Sequence, residues 1–368
     1  MDKYYWAALG AAKGIGTARL LALVRAFGSA QNLYEADEAD VLATGIVSQK
    51  SAARFVESKK KSRALPEMLQ EQCNRFCISV VPVTGSAYPR RLKRIMNPPV
   101  VLYVKGTLPD CRYSIAMAGS RLADAYGVKV ATGFARELAE AGVVIVSGGA
   151  KGIDTASHEG ALQGGGKTIA VLGCGVDIAY PPANKKLFAE IAESGAVISE
   201  YPPGTKPERF YFPERNRIIS GISRGVILVQ AAARSGALIT AEFAMDEGRE
   251  VFCIPGNIFT DKSAGPHKLI KEGALLADSP REILDEVFPE LCGSAHSNLF
   301  AGINDMTPLR KCTEEQQKIM DLLTQGPQTL EQLVAAAGLG IGEASVMLLE
   351  LQMMGFVQMN AAQQYFCT

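Results

Sequence analysis

A short segment in the middle of the chain combines cations with aromatic rings. It reads Phe212-Pro213-Glu214-Arg215-Asn216-Arg217, and an apolar pair follows it. Proline suits the first turn of a helix, and a helix that begins there presents free N–H groups and the positive end of its dipole. Cations among rings favour single-stranded nucleic acid over a bare phosphate, because bases stack on the rings. On its own, the segment fits a surface helix start with core aromatics equally well.

The positive charge of this region is local. Residues 201–224 hold five basic and two acidic side chains, whereas the whole chain has 38 of each. The sequence therefore predicts an anion site on a neutral protein and excludes a generally basic surface. Hydrophobic residues are 48% of the 368, which excludes wholesale disorder and allows two or three domains.

The cysteine, histidine and hydropathy patterns indicate the cellular compartment and whether a metal site is present. Eight scattered cysteines fit a reducing cytoplasm. No apolar run reaches the roughly 18 residues that a membrane span needs, and the N-terminus lacks a signal-peptide layout. The three histidines lie far apart and give no zinc spacing. We expect a cytoplasmic protein with no membrane segment, no metal and no cofactor.

Residues 75–290 alternate between apolar strands and helices. This alternation predicts an α/β fold, an extended Rossmann-like and mostly parallel sheet with helices on both faces. The predicted strands are 115–118, 143–146, 168–172, 196–198, 226–229 and 251–254.

Polar and glycine residues collect where these strands end. Ser120 and Arg121 follow the first strand, Gly149 and Lys151 follow the second, and Arg234 follows the fifth. Ligands of parallel sheets bind outside the carboxyl ends of the strands, so we expect these loops and the cation-aromatic segment to converge on one crevice.

Helical modules are predicted on both sides of this domain. Residues 1–65 read as helices joined at Gly14-Ile15-Gly16, the layout of a helix-hairpin-helix or SAM-like domain, although a packing module fits as well. Residues 291–312 read as a linker, and residues 313–368 as a winged helix. No basic residue follows Lys318, so we interpret the winged helix as a packing or protein-contact module, since a DNA reader needs cations.

Two sequence patterns resemble a phosphate-binding loop and an acid/base pair, but the neighbouring residues do not favour either function. Gly166-Lys167-Thr168 lacks the glycine of a phosphate loop, because Ala161 holds that position. Asp154 and His158 stand at i and i+4, as an acid/base pair could. A hydrogen-bonded pair that fixes the helix start is the favoured interpretation, and no catalytic residue is assigned.

Several sequence blocks follow one another over about 140 residues of the strand-and-helix region. They are Ala118-Gly119-Ser120-Arg121, Ser147 to Asp154 with His158, Gly173 to Asp177 with Tyr180-Pro181, Ser199 to Gly204, Phe212 to Ser220, Ser235 to Ala241, Gly248 to Phe252 and Ile254-Pro255-Gly256. In this order and spacing the blocks resemble the bacterial DprA (Smf) family of DNA-processing proteins. Departures from the family pattern are Gln230, where Glu is frequent, and the region of His267, where Asn is frequent.

The resemblance implies a binding protein that is not an enzyme. Members hold single-stranded DNA, load RecA onto it in natural transformation, and form homodimers through the late part of the Rossmann-like domain. By motif, the DNA-binding residues would be Arg121, Lys151, Arg209, Phe212, Arg215 and Arg217, with Ser120 and Gly149.

The predicted dimer interface lies in residues 266–276. Leu269, Ile270, Leu275 and Leu276 are more apolar than the end of a sheet requires. Two of them can face the core, and the others would form an exposed patch of the kind that marks a protein contact.

An enzyme is the alternative interpretation. The lysine-decarboxylase-like phosphoribohydrolases cleave nucleoside monophosphates with a Gly-Gly-x-Gly-Thr-x-x-Glu loop. This chain has Arg234-Ser235-Gly236-Ala237-Leu238-Ile239 at that place, and Glu242 is too far along.

Overall fold

The computed structural model describes residues 1–60, 64–291, 314–323, 326, 328–353, 357–359 and 364–367. The chain divides into two compact units, Met1–Cys292 and Gly293–Thr368. Apart from Leu291, the predicted linker 291–312 lies outside the described residues.

The first unit begins with six helices that share a core with the sheet. Thr17 Oγ1 donates a hydrogen bond to the Pro98 carbonyl at 2.8 Å. At Gly10, an added Cβ would lie 3.1 Å from Val100 Cβ, so the first helix packs closely on the segment that leads into the sheet. The helices are α1 (Asp2–Ala11), α2 (Thr17–Phe27), α3 (Ala30–Glu35), α4 (Glu38–Ala43), α5 (Gln49–Lys60) and α6 (Leu65–Arg75).

A nine-stranded sheet forms the centre of this unit, in the order β1-β2-β6-β5-β4-β3-β7-β8-β9. Strands β3 to β9 are parallel, and β2 joins them antiparallel to β6. The predicted mostly parallel α/β sheet is therefore confirmed. The strands are β1 (Ser79–Pro82), β2 (Val101–Gly106), β3 (Ser114–Ala118), β4 (Val144–Ser147), β5 (Thr168–Leu172), β6 (Ala196–Ser199), β7 (Gly225–Leu228), β8 (Glu250–Cys253) and β9 (Leu275–Leu276).

Helices cover both faces of the sheet. In β3, Ile115 and Met117 join one buried cluster, whereas Ala116 and Ala118 join the other, because side chains alternate between the faces of a strand. The helices are α7 (Ala125–Glu140), α8 (Ile153–Gln163), α9 (Lys185–Ser194), α10 (Tyr211–Ile222), α11 (Gly236–Asp246), α12 (Ala264–Lys271) and α13 (Pro280–Val287).

The strand order reverses between β3 and β7. From β3, the chain builds outward through β4, β5 and β6, then returns to place β7 on the other side of β3. Loops at such a switch point diverge and leave a crevice outside the carboxyl ends of the strands. The fold therefore puts the loops after β3 and β7 beside one opening.

The second unit has the elements of a winged helix. Three helices pack around Ile319, Leu333 and Leu351, and a three-stranded sheet has the order β10-β12-β11. The elements are α14 (Glu314–Leu323), β10 (Gln328–Thr329), α15 (Leu330–Ala337), α16 (Ile341–Met353), β11 (Val357–Met359) and β12 (Gln364–Cys367).

Within the described residues, no single helix has both the length and the apolar character to cross a membrane. The two helices Leu330–Ala337 and Ile341–Gln352, which meet at 113°, are together long and apolar enough, judged by length and composition alone.

Candidate nucleic-acid interface

A crevice of about 740 Å³ opens at the carboxyl ends of the central strands. The helices α10 and α11 both begin at its wall, where Pro213 and Gly236 lie. Helix N-termini favour anions. The lining comprises Met117, Ala118, Gly119, Ser120, Arg121, Leu122, Ala150, Asp154, Tyr180, Arg209, Phe212, Pro213, Arg215, Asn216, Ile219, Ala232, Ser235, Gly236, Ala237, Ile239 and Thr240.

A cation and two rings meet on one side of this crevice. The guanidinium carbon of Arg121 lies 5.5 Å from the centre of the Phe212 ring. The Tyr180 ring lies 5.5 Å from the same ring at an interplanar angle of 32°. Phe212 packs against Gly173, where an added Cβ would come within 3.0 Å of its ring. The ring is therefore fixed from behind, while the Arg121 and Tyr180 side chains are exposed.

The predicted DNA-binding residues divide into exposed and buried groups. Arg121 and Arg209 are exposed and line the crevice, and Phe212 is half-buried in its wall. Lys151 is exposed on the loop after β4, one residue beyond Ala150 of the crevice lining.

Two other predicted contacts shape the loops of the crevice. Ser120 is half-buried, and its hydroxyl accepts the N–H of Leu122 at 3.1 Å. Gly149 is buried at a φ of 66°, where a Cβ would come within 2.6 Å of Phe188. Ser120 and Gly149 thus organise backbone in this structure.

Arg215, predicted to contact DNA, is buried in the structure. Its side chain is 4% exposed, and Nη1 donates to the carbonyls of Gly148, at 2.5 Å, and Val171. Burial lowers the pKa of Arg215, and the nearby Asp154 carboxylate opposes this shift. Arg215 therefore ties β4, β5 and α10 together beneath the crevice instead of offering a free cation.

Arg217 points away from the crevice, so the two arginines do not act as a pair. Successive α-helical residues are about 100° apart, which puts i and i+2 on different faces. Arg217 Nη2 forms an ion pair with Glu200 at 2.5 Å, and Arg217 lines a separate cavity with Tyr201 and Glu214.

The predicted hydrogen bond between Asp154 and His158 does not form; each side chain has a different partner. Asp154 accepts the N–H of Ala150 at 3.2 Å, while His158 Nδ1 lies 2.7 Å from Thr168 Oγ1. Burial lowers the pKa of His158 to about 3, and burial raises the pKa of the Asp154 carboxyl, opposed by Arg215. The imidazole is fully buried and neutral at physiological pH, which excludes it from proton exchange with a ligand in the crevice.

Gln230 explains one departure from the family pattern. Its Nε2 donates to Asp124 Oδ1 at 2.9 Å, and its Oε1 accepts the Asp124 N–H at 3.3 Å. Asp124 in turn caps α7 by accepting the N–H of Gly127. A glutamate could not donate to Asp124, so the amide suits this capping network.

The predicted interface residues separate by burial. Leu269 is 4% exposed and packs in the core, and Ile270 is half-buried against it. Leu269 is therefore one of the residues that face the core, as two of the four were expected to do, and it is not exposed to a partner. Leu275 and Leu276 form β9, the edge strand of the sheet, and are 38% and 49% exposed.

Tyr180 is a crevice residue that sequence reasoning did not single out as a contact. It belongs to the Tyr180-Pro181 block, and an aromatic residue in the loop after β5 was the available signal.

Comparison with known proteins places the chain in a family. A family model described as DNA recombination-mediator protein A matches residues 79–288. The chain belongs to this family. A second model, the DprA winged helix domain, matches residues 306–361.

Relatives of this family cover most of the chain. DNA processing protein DprA of Streptococcus pneumoniae is 50% identical over 209 residues, which span 55% of this chain and 72% of that protein. Protein Smf of Synechocystis sp. is 32% identical over an alignment of 394 positions, spanning 99% and 98% of the two chains.

A solved family structure from Helicobacter pylori, DNA processing protein A, matches with a TM-score of 0.52 and 30% identity. The match spans 58% of this chain and 97% of that one. That structure is described as giving insights into the unique single-stranded DNA binding mode of the Helicobacter protein.

Proposed function

We propose that this protein binds single-stranded DNA in the crevice and delivers it to RecA as a recombination mediator in natural transformation. One observation carries the proposal: Arg121 and Tyr180 flank the fixed ring of Phe212 at 5.5 Å each. A phosphate reaches the cation while a neighbouring base reaches an aromatic face, which is how sequence-independent single-strand sites are built.

Further charges at the crevice favour a polyanion. Arg209 is exposed at the lining, Lys151 is exposed on the adjoining loop, and two helices present their N-termini. Family membership, and the single-stranded DNA binding described for the Helicobacter relative, support the same ligand.

We further propose that the protein acts by binding and not by catalysis. The acidic group of the crevice lining is Asp154, which is 8% exposed, and the nearby His158 is fully buried. General acid–base catalysis needs such groups within hydrogen-bond reach of the substrate. A nucleotide-release assay with nucleoside monophosphates should therefore give no free base, and release abolished by a crevice substitution would contradict this.

The proposed setting is the bacterial cytoplasm, where RecA and incoming single strands meet. Cys73, Cys77, Cys111, Cys174 and Cys253, all in the described part of the chain, are free thiols, as a reducing compartment favours.

A homodimer is proposed through β9. Leu275 and Leu276 expose apolar side chains on an edge strand, and unpaired edges with apolar side chains pair readily with another copy. Closed two-fold dimers are the commonest result. Two crevices joined in this way would tighten binding of long strands by avidity.

The test of the proposed function is a titration with single-stranded and duplex oligonucleotides of one sequence at several salt concentrations. We expect preference for the single strand and a log–log salt slope of about −0.7 per phosphate contacted. Equal or tighter duplex binding would contradict the proposal. RecA delivery is tested separately, by whether the protein accelerates RecA filament formation on single strands already coated with a single-strand-binding protein.

A further inference from the structure

A second group of arginines lies near the amino ends of the central strands, at the opposite end of the sheet from the crevice. It lines a cavity of about 510 Å³, beside the segment that precedes β3 and the last residue of α10, Ile222. The charged residues of its lining are Arg90, Arg91, Arg94, Arg112 and Asp110, so four cations face one carboxylate.

The fold holds these arginines in place. Leu92–Arg94 form a 3-10 helix, in which residues three apart stand one above the other, so Arg91 and Arg94 share a face. Leu92 and Ile95 are buried against α10. At Gly221 an added Cβ would lie 2.9 Å from each of them, so this glycine permits the close packing.

Their charges are not neutralised by neighbouring side chains. In the part of the chain that the structure describes, Arg90, Arg91 and Arg94 make no ion pair within 4.0 Å. Burial lowers the pKa of Arg91, and the cations of Arg224, Arg249 and Arg94 lower it further, opposed by Glu290. Like charges held this close on a neutral protein favour binding of an anion.

Two further cavities lie along α10 between this cluster and the crevice. Arg94 also lines a cavity of about 460 Å³ with Arg217 and Arg249, beside Asp246 and Glu247. Two buried nitrogens here, Arg217 Nη1 and Arg249 Nε, have no hydrogen-bond partner among the described residues.

The next cavity shares Arg217 with this one and reaches Tyr211, the first residue of α10. Phe212 follows and belongs to the crevice wall. Because α10 has 12 residues at 1.5 Å each, its two ends are roughly 18 Å apart.

We propose that the cluster of Arg90, Arg91 and Arg94 binds the phosphate backbone of a single strand whose other part lies in the crevice. This inference rests on the proposed function and adds a second contact to it. Arginine suits phosphate because its planar fork donates two parallel hydrogen bonds. The lining offers no ring for base stacking, since its one aromatic residue, Tyr88, is 4% exposed. The cluster therefore holds the backbone without reading bases.

The test compares short and long oligothymidylates, of about four and about thirty nucleotides, against the double variant Arg91→Ala/Arg94→Ala. A short strand occupies only the crevice, so the double variant should bind it with wild-type affinity. The long strand should lose about tenfold in affinity, and its salt slope should become shallower by about 1.4, which is two phosphates at about 0.7 each.

The matched control is Lys129→Ala/Arg136→Ala, which removes two exposed cations of α7 that line none of the described cavities. This control variant should bind oligonucleotides of both lengths with wild-type affinity. Light scattering must show that all variants keep the wild-type mass, so that a changed assembly is not mistaken for a lost contact. Arg91→Lys/Arg94→Lys keeps the charge and should retain most of the salt slope, which covers the case of an unstable alanine variant.

Three results would overturn the inference. They are long-strand binding at wild-type strength in the double variant, an equal loss for both lengths, and a loss confined to long duplex DNA. Failure of the proposed function looks different, because wild type would then bind neither length and Arg121→Ala would change nothing.

Discussion

Gly148 and Arg215 are joined by a buried hydrogen bond beneath the crevice. Arg215 Nη1 donates to the Gly148 carbonyl at 2.5 Å, and a Cβ on Gly148 would lie only 2.3 Å from that nitrogen. The strand end of β4 and the helix α10 are thus held by one buried guanidinium, so the crevice wall depends on a side chain that is only 4% exposed.

Gly148→Ala should therefore destabilise the protein. The added methyl displaces Arg215 and breaks its hydrogen bonds, which costs about 3 kcal/mol of unfolding free energy. Gly133→Ala is the control: Gly133 lies in α7 with nothing within 4 Å of its added Cβ, and alanine there should stabilise by about 0.5–1 kcal/mol. Denaturant unfolding measures both, and equal stabilities would contradict the buried role of Arg215.

Arg217→Ala should leave binding of short single strands within about twofold of wild type, because its side chain pairs with Glu200 away from the crevice. Loss of this partly buried pair should cost roughly 1–3 kcal/mol of stability. Fluorescence anisotropy with a short labelled oligonucleotide measures the affinity of this variant. A loss of affinity as large as that of Arg121→Ala would place Arg217 in the binding site.

His158 should make the protein less stable in acid. Its pKa falls from 6.5 to about 3 on folding, so between these values the unfolded chain binds more protons, and stability drops as the pH falls. The imidazole alone contributes a loss of about 2 kcal/mol between pH 7 and pH 5. The raised pKa of Asp154 works in the opposite direction, because its protonated form is favoured by folding.

The contribution of His158 is isolated by comparing wild type with His158→Gln in denaturant titrations at both pH values. The glutamine variant should lose less stability on acidification. Identical pH slopes would show that the imidazole is not kept neutral by burial.

The proposed dimer should respond to charge on β9. Leu275→Glu/Leu276→Glu places two carboxylates on exposed edge positions, so the double variant should fold and scatter light as a monomer. Leu269→Glu is the contrasting variant: Leu269 is 4% exposed, and a buried charge there should unfold the protein. A folded dimer of the Leu275/Leu276 variant would place the interface elsewhere.

The parallel sheet could be predicted from sequence because its strands are short apolar runs separated by helices of ordinary length. The antiparallel strands β1 and β2 were not predicted individually. They lie at one edge, and prolines stand beside or within them, at Pro82 and at Pro98 and Pro99, which weakens the strand pattern.

Sequence identified the crevice loops but not the direction of each side chain. The segment Phe212 to Arg217 does open a helix at the crevice. Its two arginines separate because helix geometry turns Arg217 away, while Arg215 finds carbonyl partners on β4 and β5 that are distant in sequence. Similarly, Leu269 and Leu276 are equally apolar, and only the packing of α12 against the sheet distinguishes core from surface.

The affinity of Phe212→Ala for a short single strand tests most directly whether Phe212, with Arg121 and Tyr180, forms the single-strand site. Stacking is worth about 1–3 kcal/mol per base, so affinity should fall roughly tenfold to a hundredfold. The salt slope should stay unchanged, because no charge is removed. Arg121→Ala should instead make the slope shallower by about 0.7. Wild-type affinity in Phe212→Ala, or a loss explained entirely by unfolding, would show that this ring is not part of the single-strand site.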